Sequence, residues 1–166
     1  DTATTEIYPL SLHAALPISC PEPSMQLADP VTQPQFYRDV ACKRLMAWVA
    51  DTILIALICL LILPFTAFLA AFFFLGLMAV VGFAYRVVTL AGGSATLGMR
   101  LFAIEFRDRD GARFDLGTAF LHTVGYTVSW AVAPLQLISV ILMATSGRGQ
   151  GLTDMVLGTA ALNRRV

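Results

Sequence analysis

Charge is scarce in this sequence. Only 13% of its 166 residues are Asp, Glu, Lys or Arg, about half the share found in soluble domains. That scarcity excludes a surface solvated all round, and no nucleic acid is expected as a partner. Histidine occurs twice and cysteine three times. Cys42 and Cys59 stand 17 positions apart in one apolar stretch. As a helix this is about 25 Å, too far for a disulfide. No second His or Cys stands at ligand spacing from His122, so neither a metal site nor a cofactor is expected. What fills the chain instead is apolar: 57% of residues are hydrophobic, and the mean hydropathy is +0.74. Much of the surface is therefore expected to face lipid.

Residues 1–19 read DTATTEIYPLSLHAALPIS. They resemble the conceptual translation of a short-read sequencing adapter, departing from it only at Pro9 and Ala14 over 18 positions. A secretory signal is a poor fit, because no basic region precedes the apolar run and His13 and Pro17 interrupt it. Residues 1–24 are therefore expected to be an adapter or upstream artefact without structure, with Met25 the natural start. Without them eleven basic residues face eight acidic ones, a net charge of +3.

Residues 25–40 are polar, contain Pro30 and Pro34, and read as a leader. Residues 41–166 form the membrane domain. Residues 45–63 are nearly continuous apolar sequence interrupted by Asp51, and Pro64 ends them. Residues 66–88 form a second such run. About 20 apolar residues span a bilayer core as a helix, so two transmembrane helices in a tight hairpin are expected. Residues 117–145 are apolar again, with Pro134 near the middle. They fit either two short helices hinged near Ala133 and Pro134 or one long tilted helix. Between these parts, residues 98–108 alternate apolar and polar, Asp110-Gly111 offers a turn, and Ala112 to Leu116 resumes. This pattern predicts a small cytoplasmic β-hairpin, to which residues 158–163 add a strand. The fold class is an all-α integral membrane helical bundle carrying that hairpin.

Basic residues orient the bundle. Arg38, Lys43 and Arg44 precede the first span; Arg86, Arg100, Arg107, Arg109 and Arg113 follow or close the second; Arg148, Arg164 and Arg165 lie in the tail. The hairpin between the spans carries none. The N-terminus, the middle segment and the tail are thus expected in the cytoplasm, and the multi-pass chain in the inner membrane of a bacterium.

Three charged residues stand out. Arg44 opens the first span and Asp51 follows seven residues later, on the same helix face within about 20° and about 10 Å further along the axis. An Asp inside a span is costly and needs a partner. Asp154 lies late in a glycine-rich tail, G-L-T-D-M-V-L-G-T. An Arg at the start of the first helix, an Asp within it and a late Asp followed by Gly-Thr resemble the RDD family of membrane proteins, for which these residues supply the name. The family's Thr-x-Gly-Lys/Arg pattern is matched by Thr96 and Gly98, with Arg100 one place late after Met99. Where the family often carries Arg near the start of the third apolar segment, this chain has His122. The resemblance covers about residues 36–164. It implies a membrane domain for which transport of unidentified ligands is suggested.

Each candidate also has a structural reading: Arg44 as an interfacial anchor, Asp51 as a lock between helices, Asp154 as a helix cap, His122 as a satisfied core residue. The glycines at 147, 149 and 151 follow an apolar helix and lack the Lys-Ser/Thr signature of a phosphate loop. We expect Arg44, Asp51, His122 and Asp154 to form one buried polar cluster, with Arg86, Thr96, Gly98 and Arg100 in support. No nucleophile–base pair or cofactor motif points to an enzyme. Two functions remain: a small transporter or transport subunit with a cytoplasm-facing polar vestibule, or a scaffold or assembly factor locked by the same charges. The bilayer is the expected partner, with a second copy or another membrane protein alongside.

Overall fold

The computed structural model describes residues 27–66 and 73–164. The expected artefact at residues 1–24 lies outside the described residues. The leader from residue 27 onward is docked: Tyr37 donates its hydroxyl to the Ala28 carbonyl at 2.6 Å. Asn163 donates its side-chain amide to the Gln35 and Arg38 carbonyls, each at 2.9 Å.

Helix α1 runs Val40–Ile62 and α2 runs Phe74–Gly93. Both are long and apolar enough to cross a membrane. The buried positions of α1 are Val40, Ala47, Asp51, Ile55 and Cys59. They step by seven and then by four, a narrow stripe that meets the rest of the protein. The opposite positions are also apolar, including Ile53, Leu57, Leu60 and Leu61, all exposed. A helix apolar all round is of the kind that is buried, in a bilayer or against other protein. Gly82 of α2 sits over Ile55, where a side chain would begin to touch it.

The second helix corrects the sequence boundaries at both ends. Leu63–Thr66 forms a 3-10 turn holding Pro64, residues 67–72 lie outside the described residues, and the helix starts only at Phe74. It then continues past Val88 until Ser94 turns left-handed at φ 55°. Hydropathy tracks the apolar run, whereas the helix ends where its backbone can turn.

The segment after α2 is also corrected: no β-hairpin forms there. Leu97–Leu101 is a short helix, α3, and only Ile104–Arg107 is a strand, β1. The turn at Asp108 and Gly111 exists, but the chain beyond it does not pair with β1 as a strand. Instead, the Phe114 amide donates to Ser94 Oγ at 2.7 Å, and the Phe114 ring stacks on Phe106 at 5.4 Å. The partner of β1 is the distant strand β2, Ala160–Asn163, antiparallel with Ile104 opposite Asn163 and Arg107 opposite Ala160. The return arm expected after Asp110-Gly111 is absent, whereas the strand expected within residues 158–163 does pair with β1.

Residues 116–145 form two helices, α4 (Leu116–Ala131) and α5 (Ala133–Thr145), joined at Val132 by a bend of 116°. This excludes a single long helix. Asp115 caps α4 by accepting from the Thr118 amide at 2.8 Å. Pro134 stands in the first turn of α5, where its missing N–H costs nothing. A last short helix, α6 (Leu152–Leu157), leads into β2.

The apolar core sits at one end of the molecule, where the start of α1, the end of α2, α3, β1 and the start of α4 meet. Val40, Ala47, Leu90, Met99, Ile104 and Phe106 are among its members. Each large side chain buried there contributes about 1.5–3 kcal/mol.

Candidate functional site

The four charged or titratable residues singled out by sequence do not form one cluster. They divide into two hydrogen-bonded knots that border the same cavity.

Asp51 anchors the first knot. It is 2% exposed, and three donors converge on it. Tyr85 of α2 donates its hydroxyl at 2.6 Å, Thr96 its hydroxyl at 2.5 Å, and Gly98 its backbone N–H at 2.8 Å. No cation lies within 4 Å among the described residues. Thr96 works twice, because its hydroxyl oxygen also accepts from the Met99 amide at 3.2 Å and so caps α3. Gly98 is required by close approach: a Cβ there would collide with the Ala47 carbonyl and the Asp51 carboxylate. Asp51 thus fastens α1 to α2 and α3.

Asp154 anchors the second. Arg44 donates to its Oδ2 at 2.5 Å and to the Gly149 carbonyl at 3.0 Å. His122 Nε2 lies 2.8 Å from Oδ1. The Gly151 amide donates to Oδ2 at 2.9 Å, so the carboxylate also caps the first turn of α6. Burial by itself would raise the pKa of Asp154. The Arg44 guanidinium and His122 outweigh it and hold the carboxyl well below the usual carboxylate range. The Arg44 guanidinium also rests over the Phe106 ring at 5.0 Å, and His122 lies against Phe106 and Phe114.

Arg44 and Asp51 share a face of α1 yet point to different partners. A heptad drifts about 20°, and the long Arg44 side chain reaches beyond its own helix to α6. Of the supporting residues, Thr96 and Gly98 belong to the Asp51 knot. Arg86 belongs to neither, its guanidinium lying over the Tyr126 ring at 4.2 Å. Arg100 lies elsewhere, in a polar depression with Glu105, Arg113 and Arg164. Among the described residues no group of three or more His, Cys, Asp or Glu could hold a metal ion.

Between the knots lies a cavity of about 500 Å³, bordered by Arg44, Asp51, Arg86, Thr96, His122 and Asp154. One wall is α1 and the other is α5 and α6, with α2 and α4 behind. Packing between α1 and the α4–α5 pair is sparse, which leaves the cavity as a cleft. On α4, residues 122, 126, 129 and 130 all line it, the i, i+4, i+7, i+8 pattern of one helix face.

The positions of both knots and of the cavity fall within the part of the chain, residues 40–158, that the RDD family model matches. The chain belongs to the RDD family. No curated protein and no solved structure matches it. In this RDD protein, sequence reasoning missed Tyr85, Tyr126, Trp48 and Gly151. Tyr126 was within reach, because it stands one turn after His122 on a face otherwise rich in small polar residues. Tyr85 and Gly151 carried no signal beyond proximity to other polar residues.

Proposed function

We propose that this RDD protein is a multi-pass protein of a bacterial inner membrane that acts as a transporter or transport subunit for an ion or small solute. The observation that carries this is the cleft: a cavity bordered by both polar knots, lying between α1 and a bent helix pair. Broken helices at membrane depth mark binding sites in transporters. The distribution of basic residues supports both chain ends and β1 lying in the cytoplasm, with the cleft opening inward. The uncharged outer halves of α1 and α2 offer no polar steps. The path outward therefore runs along the hinge at Val132 or between two copies of the chain. The bilayer is the constant partner, and neither nucleic acid nor a cofactor has a role. We do not read the protein as an enzyme, since no nucleophile–base motif is present.

A specific observation favours a second function, a scaffold or assembly factor. Among the described residues every buried side-chain nitrogen and oxygen has a hydrogen-bond partner, as a structural lock requires.

Proteoliposomes separate the two. Purified protein is reconstituted and challenged with gradients of protons, sodium, potassium and phosphate. Transport predicts protein-dependent flux of at least one, lost in a folded Asp51→Asn variant. If no gradient drives flux, and folded variants still support whatever the cell requires, the scaffold is the function.

A further inference from the structure

In the cavity the carboxylates are spent. Asp51 accepts three hydrogen bonds, and Asp154 is held by Arg44, His122 and the Gly151 amide. Arg44 is committed to Asp154 and the Gly149 carbonyl. Arg86 is different. Its guanidinium has five N–H groups, and among the described residues it makes one long hydrogen bond, from Nη2 to the Tyr126 hydroxyl at 3.3 Å. No carboxylate lies within 4 Å of it among the described residues. Tyr126 in turn accepts twice, from Arg86 and from Trp48 Nε1 at 2.8 Å. The hydroxyl's own proton has no acceptor among the described residues.

Two unspent donors, one cationic, therefore meet at one point on the cavity wall. Arg86 lies seven residues before the end of α2, about 10 Å along its axis. A cation at that depth is costly without a counter-charge. Beside it the wall turns apolar: Trp48 and Trp130 stack at 5.8 Å and line the cavity with Val140 and Met143. A volume of about 500 Å³ lies within the range of small-molecule sites.

We propose that the cleft binds an anionic amphiphile, its acid group on Arg86 and Tyr126 and its apolar part against Trp48 and Trp130. The inference rests on the cleft being a ligand site, as the transport function assumes, and it names the ligand's chemistry. A cationic ligand has no free carboxylate to meet here. The acid group is a phosphate or carboxylate, supplied either by a membrane lipid or by a soluble anion.

The test uses the full chain in nanodiscs of neutral phosphatidylcholine. The sequence has only two tryptophans, and both line the cleft, so intrinsic fluorescence reports on it. Dodecyl phosphate is titrated against dodecyltrimethylammonium, which has the same tail and the opposite charge. The phosphate is expected to give a saturable change and the ammonium none. Arg86→Gln should weaken binding by about tenfold or more, the worth of a charge-assisted hydrogen bond. Arg86→Lys should retain part of it, and Arg38→Gln, at an exposed site, should leave it unchanged. Inorganic phosphate that competes with dodecyl phosphate assigns the site to soluble anions; competition by phosphatidic acid alone assigns it to lipid. Equal response to both head groups overturns the proposal, as does parental affinity in a folded Arg86→Gln. If Arg86→Gln does not fold, the head-group comparison on the parent and the Arg86→Lys titration still decide. Anion-selective binding without flux would leave this inference standing and remove transport. Flux without anion selectivity would do the reverse.

Discussion

Asp154 joins three parts of the chain through one carboxylate: Arg44 from α1, His122 from α4 and the first turn of its own helix. It is 1% exposed. Removing one partner of a buried pair leaves the other uncompensated and costs about 3–5 kcal/mol. Arg44→Met and Asp154→Ala should each destabilise by that order, read from thermal or denaturant unfolding in detergent. Exchanging the charges, Arg44→Asp with Asp154→Arg, should recover part of the loss, because the two side chains meet directly. Acid should weaken the same link. The Asp154 carboxyl titrates lower in the folded protein than unfolded. Its contribution is thus complete above the unfolded value of about 3.9 and is lost as pH falls below it. Unfolding measured from pH 7 to pH 3 should show the parent losing stability below about pH 4, and Asp154→Asn should be flatter there. At the other knot, Tyr85→Phe removes one of three bonds to Asp51 and should cost about 1 kcal/mol. Asp51→Ala leaves three donors without their acceptor, at about 1–3 kcal/mol for each one that stays buried. A variant Asp51→Ala as stable as the parent would remove Asp51 from the account of how α1, α2 and α3 are held.

Among the elements, α3 depends on a glycine and β1 on a strand more than 50 residues away in sequence. Gly98→Ala drives a methyl group into the Ala47 carbonyl and the Asp51 carboxylate. Overpacking of this kind costs about 1–3 kcal/mol, and an equilibrium unfolding curve will show whether α1 can move aside. Ala160 and Ala161 in β2 are fully buried, so β2 is part of the core rather than a loose tail. Truncation after Gly158 should leave β1 unpaired. It should also free the leader, which Asn163 ties down. Limited proteolysis should then cut at both places, whereas cleavage no different from that of the full chain would show β2 to be dispensable. The element signals in the sequence were uneven. Apolar runs marked α1, α2 and the α4–α5 region. The tail strand was legible as a partner for β1, but the segment after Asp110-Gly111 was misread as a second arm, because alternation does not show whether a segment pairs with its neighbour or, like Phe114, packs in the core.

For the whole molecule, the number of crossings expected follows from which ends of the helices lie together. Arg44 of α1 contacts Gly149 beyond α5, and His122 of α4 contacts Asp154. The start of α4 and the end of α5 therefore lie at the same end of the molecule, the end that carries the charges. We expect α4 and α5 to enter and return together, leaving both chain ends on one side. Single cysteines at Asp110 and Arg164, both exposed, should resist an impermeant thiol reagent applied to intact cells and react after lysis. Labelling of the Arg164 site alone from outside would establish three crossings instead.

The amino-acid sequence alone determined which stretches are long and apolar enough to cross a membrane. Two apolar runs, few charges and arginines gathered near one set of their ends are legible there because the cost of exposed or buried charge is set locally, residue by residue. It also made Arg44, Asp51 and Asp154 conspicuous, since charge is rare here. Which of them meet was a tertiary matter. One heptad places Arg44 and Asp51 on one face, but partners are chosen by what packs against that face: α3, brought close by Gly98, for Asp51, and α6 for Arg44. The cavity was decided at the same level. It exists because α1 and the bent α4–α5 pair diverge, and no local pattern in either segment encodes the space between them.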